Sequence, residues 1–302
     1  MTYSLTRRSF GGLMLATTLA PRLSLAQSTA FPNPELLVNA DALAARIGAD
    51  GQLLQSSDNS DFAIVDVRST EDYLVGHIPG ALHIDPNAVV EQESPVEGSL
   101  RSTSEIAEML GSLGLDAQTR IVFYDDRGGF HAARMLWLLE YLGHSNIALL
   151  NGGLTAWQDA GGGMSTELVV LPQRLFGIAP MPRRLATADY VLQQRDDPES
   201  IVVDVRPTHM YAEGHIPWAI NVPWAQNLGD DNLFLSADAL GAHFASHSIT
   251  PDRNVIMHCQ VGLASSHSYV ALRLLGYPRV RVYHRSWAEW GADPALPTAT
   301  GA

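Results

Sequence analysis

Ile64-Val65-Asp66-Val67-Arg68, then Tyr73, then Gly76-His77-Ile78-Pro79-Gly80-Ala81, returns 138 residues later as Val202-Val203-Asp204-Val205-Arg206, Tyr211 and Gly214-His215-Ile216-Pro217-Trp218-Ala219. A second correspondence, at an offset of 134, sets Ile121-Val122-Phe123-Tyr124-Asp125 against Val255-Ile256-Met257-His258-Cys259. Both stretches lead into helical patterns that end at Leu142-Gly143 and Leu275-Gly276. A third pairs residues 149–157 with 282–290, each a strand followed by a short helix ending in tryptophan, Trp157 and Trp290. Two copies of one domain therefore account for the 302 residues.

Each copy alternates short apolar runs with helical periods. In the first copy strands are expected over 62–67, 81–84, 121–124 and 147–150, with helices over 104–111 and 131–142. That alternation predicts an α/β fold of two tandem domains, each a mostly parallel sheet flanked by helices. The domains are expected over 31–165 and 184–302, joined by a linker over 166–183 that is proline-rich from Pro172 to Pro182. Ligands of such sheets sit beyond the carboxyl ends of the strands, where Asp125 and Cys259 fall.

With 46% hydrophobic and 17% charged residues the composition is globular. All nineteen cations are arginine and the net charge is −13, which argues against nucleic acid or an anionic lipid surface as a partner. The first residues differ. Thr6-Arg7-Arg8-Ser9-Phe10 precedes an apolar stretch over 11–20, and Ser24-Leu25-Ala26 precedes Gln27. This resembles a twin-arginine export signal cleaved after Ala26, with the export machinery as partner, a periplasmic mature protein and no membrane anchor after cleavage. Cleavage removes Arg7, Arg8 and Arg22 and takes the charge from −13 to −16.

Cys259 is the single cysteine, so no internal disulfide or Cys-x-x-Cys pair can form. It sits where an apolar strand breaks into Gln260-Val261-Gly262-Leu263-Ala264-Ser265, with a helix expected from about Ser265. Loop N–H groups and a helix N-terminus aimed at the sulfur favour the thiolate, the form that attacks. The opposing reading is a buried, inert cysteine. The eleven histidines show no metal spacing, and neither a metal nor a cofactor is expected. Gly128-Gly129 and Gly152-Gly153 do not make a dinucleotide or phosphate loop.

The doubled Asp-Val-Arg and Gly-His-Ile-Pro motifs, with a cysteine opening only the second loop, resemble the two-domain rhodanese sulfurtransferases over nearly the whole chain after residue 26. Gly276-Tyr277-Pro278, Val282-Tyr283 and Ser286-Trp287-Ala288-Glu289-Trp290-Gly291 are similar to the family's closing segment. The resemblance implies that Cys259 takes sulfane sulfur from a small-molecule donor, thiosulfate or 3-mercaptopyruvate, and passes it to cyanide or a thiol. It also implies that the first domain, with Asp125 at that place, is silent.

Departures qualify the donor. The loop carries no arginine or lysine, whereas thiosulfate-preferring relatives often place a cation there, and it lacks the Gly-Ser-Gly typical of mercaptopyruvate-preferring ones. His284-Arg285 replaces the family's Asp-Gly, so Arg285 is a candidate for the missing charge, with a solvated surface arginine as the alternative. Trp224 is a candidate pocket wall or a core residue. Asp66 with Arg68, and Asp204 with Arg206, are expected to tie turns to the sheet. His258 points to the opposite face from the nucleophile, and His267 is the better candidate for a base. Arg127 faces the neighbouring site if the domains pack about a pseudo-twofold. Two other functions compete. A Cys-x5-Arg phosphatase lacks its clamp, because Ser265 stands where that arginine belongs. A non-catalytic module that binds sulfur species or a partner protein is the alternative that stays open.

Overall fold

The computed structural model describes residues 1, 30–47 and 62–301. The export segment over 1–26 therefore lies, apart from Met1, outside the described residues. Two five-stranded sheets carry the fold, and every pairing between their named strands is parallel. The first contains β1 (Leu37–Val38), β2 (Phe62–Asp66), β3 (Leu82–His83), β4 (Arg120–Tyr124) and β5 (Ile147–Leu150), ordered β1-β5-β4-β2-β3. Interleaved with them are α1 (Ala40–Ala44), α2 (Thr70–Val75), α3 (Thr103–Ser112), α4 (Ala132–Leu142) and α5 (Gly153–Asp159).

The second sheet repeats this order as β6-β10-β9-β7-β8, from β6 (Leu185–Ala186), β7 (Ser200–Asp204), β8 (Ala219–Asn221), β9 (Asn254–His258) and β10 (Val280–Tyr283). Its helices are α6 (Ala188–Gln193), α7 (Thr208–Glu213), α8 (Ala237–Ser246), α9 (Leu263–Leu274) and α10 (Ser286–Trp290). The central strands are β-branched and apolar because helices cover both faces. Val122, Phe123, Val255, Ile256 and Met257 are fully buried.

The repeated motif is a tie between strand and turn. Arg68 grips the Asp66 carboxylate through Nε and Nη2, and its Nη2 also donates to the Gly76 carbonyl at 2.6 Å. Arg206 does the same to Asp204 and to Gly214. The Tyr73 and Tyr211 hydroxyls donate to the Ala81 and Ala219 carbonyls, and each stacks on the histidine of its motif. A charge buried at a strand end needs a partner, and here both partners come from one five-residue stretch.

The domains meet along α4 and α9, which pack on one another inside a hydrophobic cluster that runs through both halves. Glu140 of α4 holds Arg273 of α9 at 3.1 Å and accepts the Tyr269 hydroxyl, with Arg184 at 3.8 Å. The connecting segment is pinned to the first domain, since Ala179 and Met181 N–H donate to the Leu142 and Tyr141 carbonyls. Gly143, at φ 93°, ends α4 left-handed where a Cβ would collide with Ala179.

Candidate active site

Cys259 follows β9 directly, is 2% exposed, and lines a cavity of about 320 Å³. The Gly262 N–H donates to its Sγ at 3.1 Å, and Ser265 Oγ lies 3.5 Å from the same sulfur. Gly262 is left-handed, at φ 85°, and α9 begins at the next residue, two positions earlier than the sequence pattern indicates. Ser69, Ser102, Thr187 and Ser236 cap α2, α3, α6 and α8 with their side chains, but no side chain caps α9. The orphan N–H groups of its first turn are left for whatever occupies the sulfur's surroundings.

Ser286 holds the cysteine backbone. Its Oγ accepts the Cys259 N–H at 3.0 Å, donates to the Tyr283 carbonyl at 2.7 Å, and stands 4.0 Å from Sγ. A left-handed conformation, φ 53°, puts the hydroxyl there. The Trp287 and Ala288 N–H groups bind the Cys259 and Gln260 carbonyls. Sequence reading missed this role of Ser286. The structure shows the same arrangement in the first copy, where Gly153 occupies the matching place at φ 59° and Leu154 N–H binds the Asp125 carbonyl.

The first loop displays the same architecture filled. Asp125 Oδ1 accepts from the Arg127 and Gly129 N–H groups at 2.8 and 2.9 Å, and Oδ2 from His131 and Ala132 at 2.7 and 3.0 Å. Gly129, at φ 91°, plays the part of Gly262, so this loop is one residue longer than the second. Four donors around one carboxylate define a compact anion cradle.

Among the sequence candidates, Gln260, Val261, Leu263 and Ala264 line the cavity with Trp224, while Gly262 and Ser265 meet the sulfur itself. Trp224 packs against Phe130 of the first domain, ring centroids 4.9 Å apart. Arg285 is a correction. It sits at the N-cap position of α10, reaches forward along that helix to Glu289 at 2.8 Å, and lines a separate cleft between the domains. The residue after it, Ser286, is the one that reaches the cysteine. His267 is corrected too. It is fully buried between Asn227 and the Gly128 carbonyl, at 3.1 Å from the latter, so it braces the two domains. Burial pushes it down to about 4, against the pull of the Gly128 carbonyl and Asp125, and it stays neutral. His258 faces Asp204 at 3.7 Å, away from the cavity, as strand alternation requires.

Positive charge reaches the site from outside its loop. Arg127, from the first domain, and Arg206 both line the cavity. Arg134 of α4 is 3% exposed, its Nε has no hydrogen-bond partner among the described residues, and its Nη2 donates to the Pro86 carbonyl. Burial pushes Arg134 down to about 10, opposed by attraction to Cys259 and then Asp85. A helix of one domain thus brings a buried cation within electrostatic reach of the other domain's cysteine, a placement that helical periodicity alone does not reveal.

The site now has context from other proteins. A rhodanese-like domain model matches residues 49–160 and again 187–293. A thiosulfate sulfurtransferase of Pseudomonas aeruginosa is 33% identical over 88% of this chain and 98% of its own. A 3-mercaptopyruvate sulfurtransferase of Escherichia coli is 29% identical over 83% and 96%. A crystal structure described as an anaerobic ergothioneine biosynthesis enzyme from Chlorobium limicola shares the fold at 24% identity, with a TM-score of 0.81 over 90% of this chain and 72% of that one.

Proposed function

Since this chain belongs to the rhodanese-like domain family and is a sulfurtransferase, we propose that Cys259 is its nucleophile and sulfur carrier. The observation that carries this is the Gly262 N–H on Sγ at 3.1 Å, at the uncapped start of a twelve-residue helix and in the lining of a cavity. Dipoles aimed in this way favour negative charge on the sulfur. In the first half-reaction the thiolate attacks the outer sulfur of a donor. For thiosulfate the S–S bond breaks, sulfite leaves with the electron pair, and Cys259 becomes a persulfide anion. In the second, cyanide or a thiolate takes that outer sulfur and the Cys259 thiolate returns, giving ping-pong kinetics.

The outer sulfur of the persulfide belongs where the first-turn N–H groups of α9 converge, with Gln260, Val261, Leu263 and Ala264 around it and Trp224 as a side wall. The first loop supports this reading, because its equivalent space is taken by the Asp125 carboxylate on four N–H groups. That loop has no sulfur to carry. Intact mass after incubation with thiosulfate, then with 3-mercaptopyruvate, tests the assignment. Wild type is expected to gain one sulfur atom and Cys259→Ser none; a gain that persists in the variant removes Cys259 from the role. Thiocyanate formation above background on adding cyanide distinguishes transfer from mere binding.

We further propose export through the twin-arginine route and a periplasmic mature protein, supported by Arg7-Arg8, the apolar stretch after them and Ser24-Leu25-Ala26. Fractionation is expected to find the mature chain in the periplasm, and Arg7→Lys with Arg8→Lys to hold it in the cytoplasm. Unchanged distribution of that variant rejects the route.

A further inference from the structure

The Cys259 cavity has walls from both domains, and they differ in chemistry. Phe130, Met210, Trp224 and Leu263 make most of it apolar. Its two arginines are not equivalent. Arg206 is 3% exposed and committed to the Asp204 carboxylate and the Gly214 carbonyl, with its guanidinium 4.7 Å from the Trp287 ring centroid. Arg127 is exposed, its guanidinium lies 5.6 Å from the Phe130 ring centroid, and among the described residues no carboxylate is in ion-pair contact with it. It is the uncommitted cation of the cavity.

The silent loop is built to hold Arg127 there. Asp125 accepts the Arg127 backbone N–H itself and fastens the loop at three further points. The loop is then docked on the active domain, by His267 on the Gly128 carbonyl and by Phe130 on Trp224. Gly128 is left-handed, at φ 64°, and packs so close to the active domain that an added Cβ would lie 2.7 Å from Leu228 Cδ1.

A cavity of this kind discriminates by charge and by hydration. Thiosulfate is a small dianion that must give up a tightly held water shell, and the apolar walls return little of that cost. A donor with one charge and an apolar body gives up less and gains contact with the aromatic walls. A volume of about 320 Å³ admits such a body. We propose that Arg127, supplied by the sulfur-less domain, recognises the anionic head of the sulfur donor, and that with the apolar walls it selects organic monoanionic donors of the thiosulfonate type, R–SO2–S⁻, over thiosulfate. This rests on the reading of Cys259 as sulfur carrier. The Cys259 thiolate attacks the outer sulfur, the Sγ–S bond forms, the sulfonyl–sulfur bond breaks, and the electron pair departs with the sulfinate R–SO2⁻. Arg127 meets the sulfonyl oxygens of the bound donor, and holds them alike before and after that bond breaks.

Steady-state kinetics with benzenethiosulfonate, methanethiosulfonate and thiosulfate as donors, and cyanide as acceptor, tests the proposal. For wild type kcat/KM is expected to fall in that order, with about tenfold or more between the first and last, the effect of partly burying a phenyl ring. Arg127→Ala is expected to raise the KM for benzenethiosulfonate about fivefold, as loss of a rim cation would, with kcat changed less than twofold. Arg127→Lys should recover most of the loss, which a merely structural role of the side chain does not predict. An unchanged KM in Arg127→Ala, or thiosulfate as the best wild-type donor, overturns the proposal. If none of the three donors adds sulfur to Cys259 by intact mass, the sulfur-carrier reading itself fails; sulfur loading with the wrong donor order overturns only the selection argued here.

Discussion

Cys259 and Asp125 occupy one point in two copies of a loop, and the difference between a thiol and a carboxylate decides how each loop spends its N–H groups. The carboxylate has two oxygens and takes four donors from its own loop. The sulfur accepts the Gly262 N–H and leaves the start of α9 without a side-chain cap. Gly262 is required twice over, by its left-handed φ of 85° and by the His284 ring, whose Nε2 would lie 2.6 Å from an added Cβ. Gly262→Ala is expected to destabilise the fold by about 3 kcal/mol, combining the conformational and steric terms, and to lower transfer activity further by moving the donor off the sulfur. Urea unfolding and thiocyanate assays check this; wild-type stability would show that the loop adapts freely. The cysteine, the glycine and the surrounding small residues are legible in sequence. Ser286 is not, because its contact with Cys259 spans 27 residues and needs a left-handed serine.

At the scale of elements, α4, α9 and β10 converge behind the loop, and their polar residues are buried to brace it. His284, on the loop that follows β10, stacks on Trp137 of α4 at 5.0 Å, and His267 of α9 holds the first domain's loop. Burial pushes His284 down to about 3, aided by Arg134 and Arg285, and pushes His267 down to about 4. Both folded values lie below that of the unfolded chain, near 6.5. The unfolded chain therefore binds protons that the folded one refuses, and stability present above pH ~6.5 is lost as pH falls towards 4 and then 3. For His267 alone the loss is on the order of 3 kcal/mol by pH ~4. His267→Gln, which can keep a donor for the Gly128 carbonyl, is expected to show a shallower fall of the urea midpoint between pH ~7 and ~5 than wild type. Parallel slopes would assign the acid sensitivity elsewhere. Sequence periodicity located α4 and α9 within a residue or two; that two of their neighbouring histidines brace the domains came only with packing.

At the scale of the whole molecule, the first domain contributes part of the wall around Cys259. Phe130 and Arg127 wall the cavity, Arg134 is buried within electrostatic reach of Cys259, and Gly98 approaches Val261 so closely that an added Cβ would lie 2.7 Å from Val261 Cβ. The α4–α9 seam, with Glu140 held by Arg273 and Tyr269, keeps these pieces in register. A buried carboxylate between cations tolerates few alternative packings, because each leaves a charge unpaired. By itself the sequence determined the duplicated parallel α/β plan, the tie between each Asp-Val-Arg and its Gly-His-Ile-Pro turn, and which copy holds the thiol. Those features follow from local periodicity and from motifs whose partners lie within ten residues. Only the tertiary structure decided which arginines come near Cys259, turning Arg285 away and bringing Arg127 to the cavity wall and Arg134 within electrostatic reach of the sulfur. The physical reason is range: a guanidinium acts wherever packing sets it, and the packing that sets these two joins helices more than a hundred residues apart in the chain.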